Sequence, residues 1–113
     1  MASVKNIEFI KGSSSPKISD QDQSKLLIKP RQKCEVDEVK QTVELEYKII
    51  TPNINLEIQD PDQEVTIPGK FKTFSKPIQF VKKESGEKKN FHIKVIARLD
   101  SSEDTDILEI YYD

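Results

Sequence analysis

The residues best suited to nucleophilic or zinc chemistry are scarce, since the chain has one cysteine, Cys34, and one histidine, His92. Nucleophilic catalysis needs a base beside the attacking group, so any such pair would have to combine these two side chains. No glycine elbow or helix start lies near Cys34 to activate its thiol. A structural zinc site takes about four Cys and His ligands. We therefore expect no enzyme, no metal site and no cofactor.

Clustered carboxylates offer a second kind of chemistry, which is calcium binding. The candidate ligands are Asp100, Glu103, Asp104 and Asp106, with Asp20 and Asp22 as a separate acidic pair. Their spacing matches no EF-hand, and the segment has no glycine for the sharp turn. We predict a solvated acidic loop over residues 100–106, with calcium as the open alternative.

Cations and aromatics are interleaved in the segment that begins at Lys70, a pattern typical of surfaces that bind single-stranded nucleic acid. The candidate anion-binding residues are Lys70, Phe71, Lys72, Phe74, Lys76, Lys82, Lys83, Lys88 and Lys89. The formal net charge of -2 weighs against phosphate binding. A nucleic-acid or anionic-ligand binder is therefore the alternative function, and we expect both phenylalanines to enter the core.

Strands must position these side chains, and the clearest strand is the segment Phe91–Leu99. Its odd positions are all apolar, whereas His92, Lys94 and Arg98 occupy even positions. A pleated strand sends the two sets to opposite faces, while a helix would scatter them. Ile96 alone breaks the pattern. The alternation predicts a central strand of a β protein.

The same alternation in the rest of the chain predicts strands over residues 4–10, 25–29, 42–50, 54–58, 64–67, 78–82 and 107–112, with the aromatic segment 70–76 between two of them. We expect a flexible loop at about residues 11–24, and either a helical turn or an extended segment over residues 31–41. The strand at 42–50 is predicted to pair with Phe91–Leu99. That pairing would place Glu44 and Glu46 opposite Lys94 and Arg98.

Seven or eight short strands, with turn signals about every ten residues, predict an all-β fold. We expect residues 1–113 to form a single antiparallel two-sheet sandwich of immunoglobulin or fibronectin type, with a jelly roll or a small barrel as the alternative. One cysteine excludes an internal disulfide. No signal peptide or transmembrane segment is recognisable, so we predict a soluble, cytoplasmic protein, with secretion after signal removal left open.

An apolar residue on a polar sheet face is a candidate contact point for a partner. Ile96 shares its face with His92, Lys94 and Arg98, and Tyr111 would join them if the last strand pairs with Phe91–Leu99. The predicted partner-binding residues are Ile96, His92, Lys94, Arg98, Tyr111 and Tyr112. We therefore predict a non-enzymatic module for protein interaction or assembly, which binds another protein or a second copy through a sheet face or an edge strand.

Overall fold

The computed structural model describes residues 1–12, 15–22 and 26–113, and in these ranges it contains strands and no helix, hence no helix that could cross a membrane. The strands are β1 (Val4–Phe9), β2 (Lys17–Ile18), β3 (Leu27–Ile28), β4 (Arg31–Val36), β5 (Gln41–Ile49), β6 (Leu56–Ile58), β7 (Asp62–Ile67), β8 (Phe71–Ser75), β9 (Ile78–Lys82), β10 (Phe91–Leu99) and β11 (Ser102–Tyr112). The predicted all-β fold is confirmed. Its assignment to the immunoglobulin or fibronectin type stays a prediction.

One layer of the fold is a five-stranded sheet with the strand order β2-β11-β10-β5-β7. β10 pairs antiparallel with β11 on one side and with β5 on the other. β2 is the exception, because it runs parallel to β11. The predicted pairing of β5 with β10 is confirmed, and β10 is the central strand that its alternation indicated.

The second layer is built from two three-stranded sheets, β1-β4-β8 and β3-β9-β6. Ile28 pairs with Ile78 and Arg31 with Ser75, so one antiparallel register continues from the first pair to the second. Pro30 and Pro77 lie at the interruption, where neither residue can donate a ladder hydrogen bond. The two sheets therefore form one layer with the order β1, β3–β4, β8–β9, β6.

Side chains from both layers meet in one core. The Phe80 ring of β9 packs edge-on against Phe91 of β10 with ring centroids 5.6 Å apart, and Phe91 packs similarly against Tyr112 at 6.1 Å. A hydrogen bond also joins the layers: the Tyr47 hydroxyl donates to Gln32 Oε1 at 2.9 Å. Gln32 is the one polar residue classed as buried in the described part of the chain.

β1 is an edge strand of its layer, yet its outer amides are bonded to side chains of the other layer. Four backbone amides donate to side-chain oxygens: Ala2 N to Asp100 Oδ2 at 2.8 Å, Val4 N to Ser102 Oγ at 2.9 Å, Ile7 N to Asp104 Oδ2 at 2.9 Å, and Phe9 N to Asp106 Oδ2 at 2.7 Å. We call this set the carboxylate ladder. Through these bonds β1 runs parallel to the first residues of β11, and the two layers are joined on that side of the sandwich.

A β-bulge lets β1 follow the ladder. The register of β1 with β4 shifts between Lys5 and Glu8, and Asn6 has a φ of 55°. Asparagine adopts this left-handed conformation more readily than most residues. Simple alternation over residues 4–10 would place Lys5 on the face of Ile7, and the structure shows that this placement is wrong. The extra residue at the bulge leaves Lys5 exposed while Ile7 is buried.

Several predicted boundaries change in the structure. Residues 100–106 were expected as an acidic loop, but β11 begins at Ser102 because the inward carboxylates belong to the ladder. The uncertain stretch 31–41 contains the extended strand β4. Residues 13–14 and 23–24 of the expected loop at 11–24, and residue 25 of the expected strand at 25–29, lie outside the described residues. The loop also contains β2.

We predict that Tyr47→Phe lowers the free energy of unfolding by about 1–3 kcal/mol, because it leaves the buried Gln32 oxygen without its donor. Adding Gln32→Leu should restore part of the loss, since both polar partners are then replaced by apolar groups. Urea unfolding measures both effects. Tyr111→Phe, at an exposed tyrosine, is the control, and an equal effect of the two Tyr→Phe changes would contradict the prediction.

We predict that Asp104→Ala destabilises the fold by about 1–2 kcal/mol and speeds hydrogen exchange at the Ile7 amide, which loses its acceptor. Asp104→Asn should do less, because the amide oxygen can still accept. Urea unfolding and amide exchange followed by NMR are the measurements. Thr105→Ala, at the exposed neighbour, is the control, and unchanged Ile7 exchange in Asp104→Ala would disprove the ladder's role.

Candidate functional site

The outer face of the five-stranded sheet carries most of the predicted partner-binding residues. His92 pairs in register with Glu109, and Lys94 pairs with Ile107. His92 Nε2 lies 3.9 Å from Glu109 Oε2. Tyr111 follows two residues after Glu109 on the same strand face and is 39% exposed. The structure thus brings His92, Lys94 and Tyr111 together at one end of this face.

Arg98 lies toward the other end of the face and is engaged by two carboxylates. Arg98 Nη1 donates to Glu46 Oε1 at 3.0 Å, and Arg98 Nε donates to Glu103 Oε2 at 3.1 Å. The bond to Glu46, followed by the bond to Glu103, raises the pKa of Arg98. Arg98 thus has a glutamate partner from β5, as expected: in register it is opposite Glu44, while its ion pair is with Glu46. Lys94 is instead opposite Lys48, so its expected glutamate partner was wrong.

Two predicted residues offer little surface to a partner. Ile96 is only 6% exposed although it lies on the outer face, where its register neighbours are Glu46 and Thr105. Tyr112 points into the core, and its hydroxyl donates to Asn55 Oδ1 at 2.8 Å. Neither side chain is available for contact in this conformation.

The apolar side chains that this face exposes near His92 are two other residues, and not Ile96. Ile107 and Ile50 are each 43% exposed, and the Ile50 amide donates to the His92 carbonyl oxygen at 3.0 Å. Strand alternation in the sequence could have assigned Ile107 to this face, because it has the same parity as Tyr111. It could not have assigned Ile50, which lies just beyond the end of β5. The resulting apolar–basic patch consists of Lys48, Ile50, His92, Lys94, Ile107 and Tyr111.

A groove continues from the apolar–basic patch over the edge of β11. It has a volume of about 630 Å³, and its lining includes His92, Ile107 and Tyr111 from the sheet and Lys11 and Pro16 from the segment between β1 and β2. The Tyr111 amide donates to the Pro16 carbonyl oxygen at 2.9 Å, so two lining residues of this groove are joined by a backbone hydrogen bond. The patch is therefore a surface with a concave margin.

The opposite end of the same face is acidic. Glu44 is directly opposite Glu64, and Glu46 is opposite Asp62. Glu103 follows on β11 beside Arg98. We call Glu44, Glu46, Asp62, Glu64 and Glu103 the acidic half of the face. Among the described residues, Arg98 is the cation that lies beside these five carboxylates.

The candidate anion-binding residues fall into two separate groups. In the first group, Phe71 is exposed but Phe74 is buried, and Lys72 Nζ donates to the Thr66 carbonyl oxygen at 3.3 Å; Lys70 and Lys76 flank this strand. The second group is Lys82, Lys83, Lys88 and Lys89 around the turn after β9. Only one of the two aromatics is therefore exposed for stacking.

The second lysine group is partly neutralised within the chain. Lys88 Nζ lies 3.4 Å from Asp20 Oδ1, and Lys82 Nζ lies 3.9 Å from Asp20 Oδ2. Lys89 Nζ lies 3.3 Å from Glu87 Oε2. Partners of these three lysines come from the β2–β3 segment and from their own turn, and they reduce the positive potential available to an anion.

The candidate calcium ligands of residues 100–106 already accept hydrogen bonds from protein donors. Asp100, Asp104 and Asp106 accept backbone amides in the carboxylate ladder, and Glu103 binds Arg98. Within the described ranges no group of three or more His, Cys, Asp or Glu side chains is arranged to hold a metal ion. The acidic segment therefore acts as a set of acceptors for β1.

Cys34 and His92 are not brought together. Cys34 is fully buried in β4, whereas His92 is exposed on the outer face of the opposite layer. Burial first, and the charge of Glu35 second, raise the pKa of the Cys34 thiol to about 11. A thiol that holds its proton this strongly is a weak nucleophile at neutral pH.

Compared with models of protein families and with curated proteins, the sequence has no match. Among solved structures, the crystal structure of the YadV chaperone superposes with a TM-score of 0.48 at 7% sequence identity. The match covers 96% of this chain and 50% of that chain, so this chain spans half the length of that protein. A superposition this partial assigns no function to the chain.

The raised pKa of Cys34 predicts a loss of stability between about pH 9 and pH 11. In that window the unfolded chain releases the thiol proton and the folded chain keeps it, so the free energy of unfolding falls as pH rises, by about 2–3 kcal/mol in total. Urea unfolding across this range measures it. Cys34→Ala should lack this component of the slope, and parallel profiles for the two proteins would contradict the prediction.

Proposed function

We infer that this protein is a non-enzymatic interaction module that binds another protein chain through the apolar–basic patch. The observation that carries the proposal is the grouping of Ile50, Ile107 and Tyr111, all exposed, around His92 at one end of a sheet face. An apolar group with a polar rim is the usual composition of a protein-binding surface.

The physical reason is the cost of leaving these side chains in water. Complete burial of a large apolar side chain contributes roughly 1.5–3 kcal/mol, and the free protein forgoes part of it at these three positions, which are 39–43% exposed. Tyr111 can also offer its hydroxyl to a partner, a reason why tyrosine is enriched at interfaces. Lys48, Lys94 and His92 would form the charged rim and set the orientation of the bound chain.

The sheet face is favoured over the outermost strands of the sheet. β7 exposes Asp62 and Glu64, and charged side chains on an edge strand oppose pairing with another strand. β2, at the other margin, is only two residues long. A partner strand would find little backbone to pair with at either margin, whereas the patch offers side chains.

Substitution of Ile107 by Glu tests the proposal. The change places a charge in the middle of the patch at an exposed position, so the fold should be retained while protein binding is lost. The measurement is capture of proteins from an extract of the native organism by immobilised wild-type and variant chains, with captured chains identified by mass spectrometry and their affinities then measured by calorimetry.

Phe71→Glu is the matched control, because Phe71 is also exposed but lies on β8 in the other layer. We expect this variant to capture the same proteins as the wild type. Equal capture by Ile107→Glu and the wild type would refute the patch as the binding site. Loss of binding in Phe71→Glu alone would move the site to the first group of candidate anion-binding residues.

A further inference from the structure

We propose that the partner binds through an extended segment whose backbone pairs with the outer edge of β11 at Ile107 and Glu109. The inference rests on the proposed function, because the edge borders the apolar–basic patch. It also names the chemistry of the bound segment, which is a short apolar stretch flanked by acidic residues. Two observations carry it: a gap in the strand pairing along β11, and the charges around that gap.

The gap lies between two elements that cover the rest of this edge. The last bond of the carboxylate ladder joins Phe9 N to Asp106 Oδ2, and β2 pairs with β11 only at Tyr111 and Tyr112. In the described part of the chain, no strand pairs with residues 107–110 on this side. The free edge is thus about four residues, or about 13 Å, long.

Backbone groups in the gap point away from β10. The Tyr111 amide donates outward to Pro16, and backbone groups of alternate residues on a strand point to the same side. The N–H and C=O groups of Ile107 and Glu109 therefore point outward as well. The described residues supply no hydrogen bond to them. Unpaired groups of this kind are a template for another extended chain.

Pro16 explains why β2 does not fill the gap. In the parallel register that joins Tyr111 N to the Pro16 carbonyl oxygen, the next bond would run from the amide of residue 16 to the Glu109 carbonyl oxygen. Proline has no amide hydrogen to donate. The chain's own sequence therefore stops the pairing at this point and leaves the Glu109 carbonyl open to another donor.

The inner side of the groove favours an apolar side chain. When two residues of an added strand lie opposite Ile107 and Glu109, the residue between them points inward, because side chains alternate along a strand. The inner lining of the groove consists of Phe9, Ile10, Pro30 and Leu108. The groove volume of about 630 Å³ gives room for such a side chain. The central residue of the bound segment is therefore apolar.

Cations surround the gap. Lys11 lines the groove, Lys17 is opposite Tyr111, Lys94 is opposite Ile107, and Lys48 is opposite Lys94. Across the described ranges, none of these four lysines forms an ion pair. Of the two carboxylates in the groove, Asp106 accepts the Phe9 amide and Glu109 lies beside His92. The excess of positive charge favours acidic residues on either side of the paired stretch.

The first test is an NMR titration of the isotope-labelled protein with the peptide Glu-Glu-Val-Thr-Val-Glu-Glu, blocked at both ends. We expect a dissociation constant below about 1 mM that rises with salt. The largest shifts should lie at the amides of Ile107 and Glu109, and hydrogen exchange at both should slow in the complex. Replacing the four glutamates with lysines should weaken binding about ten-fold or more.

Methylation of the peptide's three central amide nitrogens tests the backbone pairing itself. It removes the hydrogen-bond donors and leaves the side chains in place, so this peptide should not bind detectably. The result does not depend on any change in the protein. Equal binding of the methylated and the unmethylated peptide would show that side chains alone hold the segment.

The second test is Ile107→Pro, which removes one outward amide and leaves the ladder between β11 and β10 intact. Peptide binding should weaken about ten-fold or more relative to Ile107→Ala, which loses the side chain but keeps the amide. Thr105→Pro is the matched control, because Thr105 is exposed at the same strand parity but does not line the groove. Circular dichroism melts establish that the variants are folded.

The inference is overturned if the acidic peptide does not bind, if its shifts centre on another part of the protein, or if Ile107→Pro binds it as well as Ile107→Ala does. These failures are distinct from failure of the proposed function. A captured protein that is lost with Ile107→Glu but retained equally by Ile107→Pro and Ile107→Ala would keep the patch as the binding site. It would exclude pairing with the β11 edge.

Discussion

Closure of the sandwich beside β1 depends on hydrogen bonds from a strand edge to carboxylates. A free row of backbone amides needs acceptors, and water or another strand would normally supply them. Here Asp100, in the turn before β11, accepts together with Ser102, Asp104 and Asp106, which alternate along the inner face of β11. The bulge at Asn6 keeps donors and acceptors in step. The two layers are thereby joined without a continuous ladder of backbone bonds.

This arrangement explains where sequence patterns succeeded and where they failed. Period-two alternation was clear in β5 and β10, whose inner positions are apolar, and both strands and their pairing were predicted. It was hidden in β4 by the buried Gln32, and at the start of β11 by inward aspartates. Polar residues that take up specific hydrogen bonds inside a fold look like loop residues in a sequence, because their partners are distant.

The same reasoning applies to the candidate site. His92, Lys94 and Tyr111 could be assigned to one face from alternation alone, since strand parity is a local property. The burial of Ile96 depends on which residues flank it on the neighbouring strands, and that depends on register. Ile50 could be added only when β5 was aligned with β10. A surface patch is therefore less predictable than the strands that carry it, because it combines residues distant in sequence.

The carboxylate ladder also has a consequence for folding during translation, because its donors are synthesised long before its acceptors. Its donors belong to the first nine residues and its acceptors to residues 100–106, so its hydrogen bonds join positions 97 or 98 residues apart. A nascent chain on the ribosome exposes β1 long before its acceptors have been made. Contacts this distant in sequence form late and slow the folding of a domain. During translation the outer edge of β1 therefore stays unpaired until residues 100–106 are made, and an unpaired strand edge can pair with other nascent chains.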